Sequence, residues 1–199
     1  MKKTVLLLIL TIFPVILPEA LRCQAQEMIL DSSHTYTWDY WSSEIHEWTL
    51  STRQINSYDI RGNITEKIRY DRDQYTGQST LSGHSAYTYD ASGNWIELLF
   101  SSWDPDMNKW AEYQRLVRVY DARGNCIEFY NYYMNPDTIE WIGKSRVFYS
   151  YDTQGNQTEV INYGMDLNSH EWVNGYRWIN TYDATGIQTE TIYSNWNPD

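Results

Sequence analysis

A tyrosine recurs every 31 residues, at Tyr58, Tyr89, Tyr120, Tyr151 and Tyr182, and each is followed by aspartate. The phrase around it is YDIRGN at Tyr58–Asn63, YDASGN at Tyr89–Asn94, YDARGN at Tyr120–Asn125 and YDTQGN at Tyr151–Asn156. A worn copy, YDATGI, closes the series at Tyr182–Ile187. A fixed period over most of a chain means one supersecondary unit repeated, each copy burying against its neighbours what it cannot bury alone.

The parts of the unit are constant. Its glycines are Gly62, Gly93, Gly124, Gly155 and Gly186, and Gly followed by Asn tolerates the positive φ of a tight reversal. Glutamate follows eight residues after each tyrosine, at Glu66, Glu97, Glu128, Glu159 and Glu190. The segments there, such as WIELLFSSW and CIEFYNYYM, are short, β-branched and aromatic without helical spacing, so they read as strands. A polar, Trp-flanked loop follows, as in WDPDMNKW (Trp103–Trp110), and is read as the wider reversal. A second strand, Tyr113–Tyr120 or Ser145–Tyr151, leads to the next Tyr-Asp. The expected fold is all-β: an antiparallel meander of tandem 31-residue hairpins, forming an elongated, twisted open sheet or solenoid-like strip. Five residues before each tyrosine stands Arg53, His84, Arg115, Arg146 or Arg177. Across the wide hairpin Glu97 is expected to meet Arg115, Glu128 to meet Arg146, and Glu159 to meet Arg177. Such pairs contribute roughly 0.2–1 kcal/mol each and serve register more than stability.

The strings RLVRVYDARGNCIE (Arg115–Glu128) and RVFYSYDTQGNQTE (Arg146–Glu159) resemble the YD repeats of Rhs-type bacterial proteins. The chain also looks like the tandem repeats of secreted Bacteroidota proteins. The resemblance runs from about Arg53 onward, with a period longer than the usual YD unit by the Trp loop. It implies a β-strip and a surface address. The autoproteolytic and toxin segments of Rhs proteins have no counterpart, so it implies no catalytic residue. The stop inside a loop, at Trp196–Asp199, resembles a fragment of a larger Rhs-like or secretion-system substrate protein.

The domain reading has three parts: a signal peptide over 1–25, a lead-in with a degenerate half-repeat over 26–50, and the repeat domain over 51–199, truncated in its last unit. Lys2 and Lys3, the apolar run from Val5 to Leu17 and the tail ending Cys23-Gln24-Ala25 make up the leader. The expected address is secreted: extracellular, cell surface or periplasm. Removing the leader takes the formal charge from −11 to about −13, which disfavours nucleic acid and anionic membrane as partners. It also takes Cys23, so Cys126 is left without an intrachain disulfide partner.

The residues suggest little chemistry. His46 and His170 hold equivalent loop positions and read as repeat decoration, so no catalytic residue is assigned and the chain is read as no enzyme. No cofactor is expected. Asp104, Asp106 and Asn108 are spaced like the start of a calcium loop but lack its glycine and distant glutamate, leaving them as weak metal candidates. Trp103, Trp110, Trp141 and Trp172 flank the loops. Paired indoles pin a hairpin shut, contributing about 0.5–1.5 kcal/mol beyond burial, and flat indoles beside Asp and Asn also suit a glycan. The expected function is adhesion, scaffold or assembly at a cell surface. A carbohydrate-binding module using those tryptophans is the alternative. Partners are then a glycan, another surface protein, or a second copy joined edge to edge.

Overall fold

The structure, a computed structural model, describes residues 32–42, 47–73 and 75–196. The expected leader, the lead-in up to Asp31, His46 and the last three residues lie outside the described residues. Among those described there are eleven strands and no helix. They are β1 (Ser32–Ser42), β2 (Glu47–Tyr58), β3 (Ile64–Arg72), β4 (Ser79–Tyr89), β5 (Trp95–Asp104), β6 (Lys109–Tyr120), β7 (Cys126–Asn135), β8 (Glu140–Tyr151), β9 (Gln157–Asp166), β10 (Glu171–Tyr182) and β11 (Gln188–Asn195).

The chain divides into two compact units, Met1–Thr80 and Leu81–Asp199. In the first, β1 pairs with β2 and β2 with β3, both antiparallel. Ser32 and Ser33 open β1, and β2 runs through Leu50 to Tyr58. In the second unit β4 to β11 pair antiparallel, each with its sequence neighbour. The expected meander of hairpin repeats is therefore present, and the sheet is open: β11 ends the strand order, bonded to β10.

The two kinds of reversal differ from expectation in size. The Tyr-Asp turn between β6 and β7 takes residues 121–125, whereas the Trp-flanked one between β5 and β6 takes residues 105–108, one residue fewer. Trp103 and Trp110 are not on loop lips but inside strands, facing each other in register, with Asp104 and Lys109 beyond them. The second strand of the unit accordingly starts at Lys109 rather than Tyr113, and at Glu140 rather than Ser145. Aromatic residues suit a pleated, half-buried surface and carry the ladder past the polar residues between them. Each long hairpin absorbs one extra residue as a β-bulge, between Phe100 and Ser101, Asn131 and Tyr132, and Asn174 and Tyr176.

The second unit is built as a sheet that supplies its own cover. Among the described residues no side chain is less than 2 % exposed, and the best-buried apolar ones are Leu98, Val147 and Val160. These share one face with Leu116 and Phe129. The opposite face carries Glu97, Glu128 and Glu159, Arg115, Arg146 and Arg177, and the paired Trp103 and Trp110, while Arg118 stays on the apolar face over the rings of Trp95 and Phe129. Stability in such a sheet comes from cross-strand side-chain pairs rather than a thick interior.

Candidate functional site

The Tyr-Asp-x-x-Gly-Asn phrase folds the same way wherever it occurs. In YDARGN the Gly124 amide donates to the Asp121 carbonyl (3.1 Å) and the Asp121 amide to the Asn125 carbonyl (2.9 Å). Gly124 sits at φ +87°, a conformation that L side chains rarely adopt. Asp121 Oδ1 accepts the amides of Arg123 and Asn125, both at 2.9 Å, and Asp121 Oδ2 accepts Asn125 Nδ2 at 2.9 Å. Asp and Asn thus close the turn as a pair. The worn copy replaces Asn by Ile187, and Thr185 Oγ1 donates to Asp183 Oδ1 at 2.7 Å instead.

These bonds hold the turn carboxylates below their ordinary range. For Asp59, Asp90, Asp121 and Asp152 the leading cause is the side-chain amide of the paired asparagine; for Asp183 it is the Thr185 hydroxyl. A carboxylate with a depressed folded pKa contributes stability above its unfolded value, near 3.8, and loses it as pH falls through the folded value. The urea midpoint of the protein is therefore expected to fall below pH 4. Asp152→Asn should show a smaller acid-induced drop than wild type, and parallel pH profiles of the two would count against the turn as the source.

The tyrosine of the phrase ties the end of its long hairpin back to that hairpin's first residue, β6 to β5, β8 to β7 and β10 to β9. Tyr120 Oη donates to the Trp95 carbonyl (3.1 Å), Tyr151 Oη to Cys126 (2.9 Å) and Tyr182 Oη to Gln157 (2.9 Å). Cys126 is half-buried; burial pushes its thiol up, away from the thiolate.

The expected ion pairs form on the opposite face. Arg115 Nε lies 2.5 Å from Glu97 Oε1, Arg146 Nη2 3.4 Å from Glu128 Oε2, and Arg177 Nη2 2.5 Å from Glu159 Oε1. They are diagonal rather than directly opposed, since Arg115 faces Leu99 and Glu97 faces Val117. Arg146 also lies over the rings of Phe148 (4.1 Å) and Tyr130 (4.9 Å). All three pairs are partly exposed, which keeps each near the low end of ion-pair energies.

Trp103 and Trp110 pair as a pin across their hairpin. Trp103 and Trp110 meet edge to face at 5.1 Å, and Trp110 stacks on His84 at 5.1 Å. Trp141 and Trp172 are half-buried and face Met134 and Met165 in register. Trp41 and Trp48 are register partners as well.

Of the metal candidates, Asp104 Oδ1 accepts the amides of Asp106 and Met107, both at 3.0 Å, as a turn cap. Asp106 and Asn108 are exposed on the same turn. Among the described residues no three His, Cys, Asp or Glu side chains gather as a metal cage. The last residue of each such turn is left-handed: Asn108 (φ 50°), Ile139 (φ 57°) and His170 (φ 57°). For a β-branched residue that conformation is strained. Ile139 is 78 % exposed and loses little packing on replacement. Ile139→Asn is expected to stabilise by about 1 kcal/mol, raising the melting temperature by roughly 2–4 °C; an unchanged or lower value would dismiss the strain.

Sequence reasoning missed one cluster. Tyr176, Trp178 and Tyr193 form a triangle of rings with centroids 5.6–6.1 Å apart. Trp178 is 43 % and Tyr193 53 % exposed. The signal was present: at the frame position of Trp178 the two preceding repeats hold Leu116 and Val147, and the two before those Gln54 and Ser85. The neighbouring β11 is exposed along its whole length. Its exposed side chains include Ile192 and Tyr193, and Trp196 just beyond the strand is exposed too.

No protein-family model and no curated protein matches the chain. Similar solved structures include a protein of unknown function from Bacteroides fragilis NCTC 9343, with a TM-score of 0.47, 14 % identity, and coverage of 74 % of this chain and 93 % of that one. A DUF3836 family protein from Parabacteroides distasonis ATCC 8503 has a TM-score of 0.34 and 14 % identity, over 56 % of this chain and 91 % of that one. TcdB2-TccC3 has a TM-score of 0.40 and 15 % identity, over 80 % of this chain and 9 % of that one.

Proposed function

We propose that this is a secreted or cell-surface, non-enzymatic β-repeat protein that works in adhesion or assembly, joining partners through the edge of its last strand. The observation that carries this reading is β11. Every residue in it is exposed, it is bonded to β10 as the end of the strand order, and it carries Ile192 and Tyr193 with a single charge, Glu190. An edge with apolar side chains and one charge lacks the lysines and prolines that protect strand edges from pairing. Light scattering of the secreted chain should show mass rising with concentration, and Ile192→Lys should suppress that rise. A monomer of constant mass at every concentration would argue against the edge.

A second reading is supported by the Tyr176–Trp178–Tyr193 triangle. The exposed rings of Trp178 and Tyr193, beside Tyr176, Asn162 and Asn180, suit stacking against a sugar. Titration with soluble polysaccharides should then give a saturable fluorescence change lost in Trp178→Ala but kept in Trp141→Ala. Turnover of a chromogenic glycoside or ester would displace both readings.

A further inference from the structure

We propose that the face of the second unit bearing Leu116 and Phe129 holds a subsite for a carboxylate-bearing sugar, a uronate, with Arg118 as the group that takes the carboxylate. The inference rests on the glycan reading above, the second of the two, and names the class of sugar this face would select.

Arg118 differs from the other arginines of its unit. Of the five in Leu81–Asp199, Arg115, Arg146 and Arg177 each meet a glutamate, and Arg123 donates to the Thr153 carbonyl at 3.1 Å. Arg118 has no carboxylate partner among the described residues, and its Nε is buried without an acceptor. Arg146 Nε is covered in the same way, but that guanidinium has Glu128. Rings hold Arg118 in place instead: its guanidinium carbon lies 4.0 Å from the Trp95 centroid and 5.9 Å from that of Phe129. A stacked guanidinium keeps the donors on its rim clear of the rings, and that planar rim matches a carboxylate through two parallel bonds.

The repeat does not call for this charge. At the frame position of Arg118 the other units hold Asn56, Tyr87, Tyr149 and Asn180, all neutral. Nor does an acid stand beside it. Phe129 is directly opposite on β7 and Asn131 diagonal, while Leu116 and its partner Leu98 are the near residues on β6 and β5. A charge among apolar neighbours is ordinarily paired. The carboxylate of a ligand would supply the missing partner. Glu97, Glu128 and Glu159 stand on the opposite face, and at physiological salt repulsion between charges fades beyond about 8 Å.

The surroundings suit a sugar better than a bare anion. Gln114 Nε2 donates to Asn131 Oδ1 at 3.0 Å, which leaves the Asn131 Nδ2 donors and a Gln114 Oε1 acceptor for hydroxyls. Diagonal positions on paired strands stand about 7–8 Å apart, within the span of one sugar ring and its substituents. A carboxylate on Arg118 and a hydroxyl on Asn131 can therefore belong to the same residue. Tyr133, opposite Gln114, adds a ring at the far side.

The test uses dye-labelled oligogalacturonate and its methyl ester, which differ in the charge of the carboxylates, with alginate and hyaluronate oligomers treated the same way. Anisotropy with the whole wild-type protein should show at least one acid bound about three- to tenfold tighter than its ester. That margin should shrink as salt is raised. Arg118→Gln should abolish the margin and leave ester binding as it is in wild type, and Arg118→Lys should keep part of it. The comparison of acid with ester is made on the wild type and does not depend on a variant folding. Equal binding of acid and ester, a margin that survives Arg118→Gln, or no binding of any acid would overturn the subsite. The glycan reading would still stand if an ester bound or if neutral polysaccharides gave the Trp178-dependent change. Absence of binding by acids, esters and neutral polysaccharides would overturn both.

Discussion

Gly143→Leu will destabilise the protein by about 2–3 kcal/mol, the cost of forcing a side chain into a filled place. A Cβ at Gly143 would stand 2.7 Å from Trp172 Cη2, 2.8 Å from Trp172 Cζ2 and 3.1 Å from Met165 Cε. The indole is rigid and Met165, its register partner, also lies against Gly143, which leaves a new side chain little room. Leucine must then lift Trp172 off the sheet, which exposes apolar area on both strands. Tryptophan emission should shift to the red together with the fall in urea midpoint. Gly143→Ala should show a smaller version of both changes, since the clash begins at Cβ. Gly164 provides the control, because a Cβ there meets nothing within 4 Å. Gly164→Ala should be neutral or mildly stabilising. Wild-type emission and midpoint in Gly143→Ala would show that Trp172 does not rest there.

Loss of the Tyr151 ring should be the next largest effect. Tyr151→Phe removes the hydroxyl that reaches the Cys126 carbonyl at 2.9 Å and should cost about 1 kcal/mol. Tyr151→Ala removes half-buried ring area as well and should cost about 2–3 kcal/mol. The expected split says how the phrase works. The aspartate and asparagine close a turn locally, while the tyrosine joins that turn to the hairpin before it. Amide exchange should therefore speed up around Cys126 in Tyr151→Phe more than within the 152–156 turn itself. Acceleration confined to that turn would assign the tyrosine a purely local role.

The repeat made much of this legible beforehand. Glycine and the Asp-Asn pair are local devices, and their turns follow from backbone sterics and side-chain reach alone. The Glu97–Arg115, Glu128–Arg146 and Glu159–Arg177 pairs were also within reach, because a period of 31 in both residue types forces any one contact to recur. The size of the loops was not. Trp103 and Trp110 look like punctuation beside Asp-Pro, yet they are strand residues whose facing rings draw the ladder past them. Nor does sequence spacing show the bulge: carried on from Trp103 and Trp110 without it, the ladder would set Arg115 opposite Leu98, on the face away from Glu97. The triangle of Tyr176, Trp178 and Tyr193 belongs to the same class: residues 15 or more apart in sequence meet only once β10 and β11 are paired in register.

Sequence alone determined the unit of this protein: its length, its turns, the strand on each side and the charges that mark register. These are properties of one hairpin, and one hairpin is short enough for local chemistry to specify. Tertiary structure decided which side chains are consumed by packing and which remain exposed. Trp110 and Trp172 are consumed because residues two strands earlier, His84 in β4 and Gly143 in β8, lie against them, while Ile192 and Trp196 are exposed at the end of the strand order. Identical frame positions thus acquire different surroundings, because burial depends on what the neighbouring strand supplies and not on the residue's own place in the repeat.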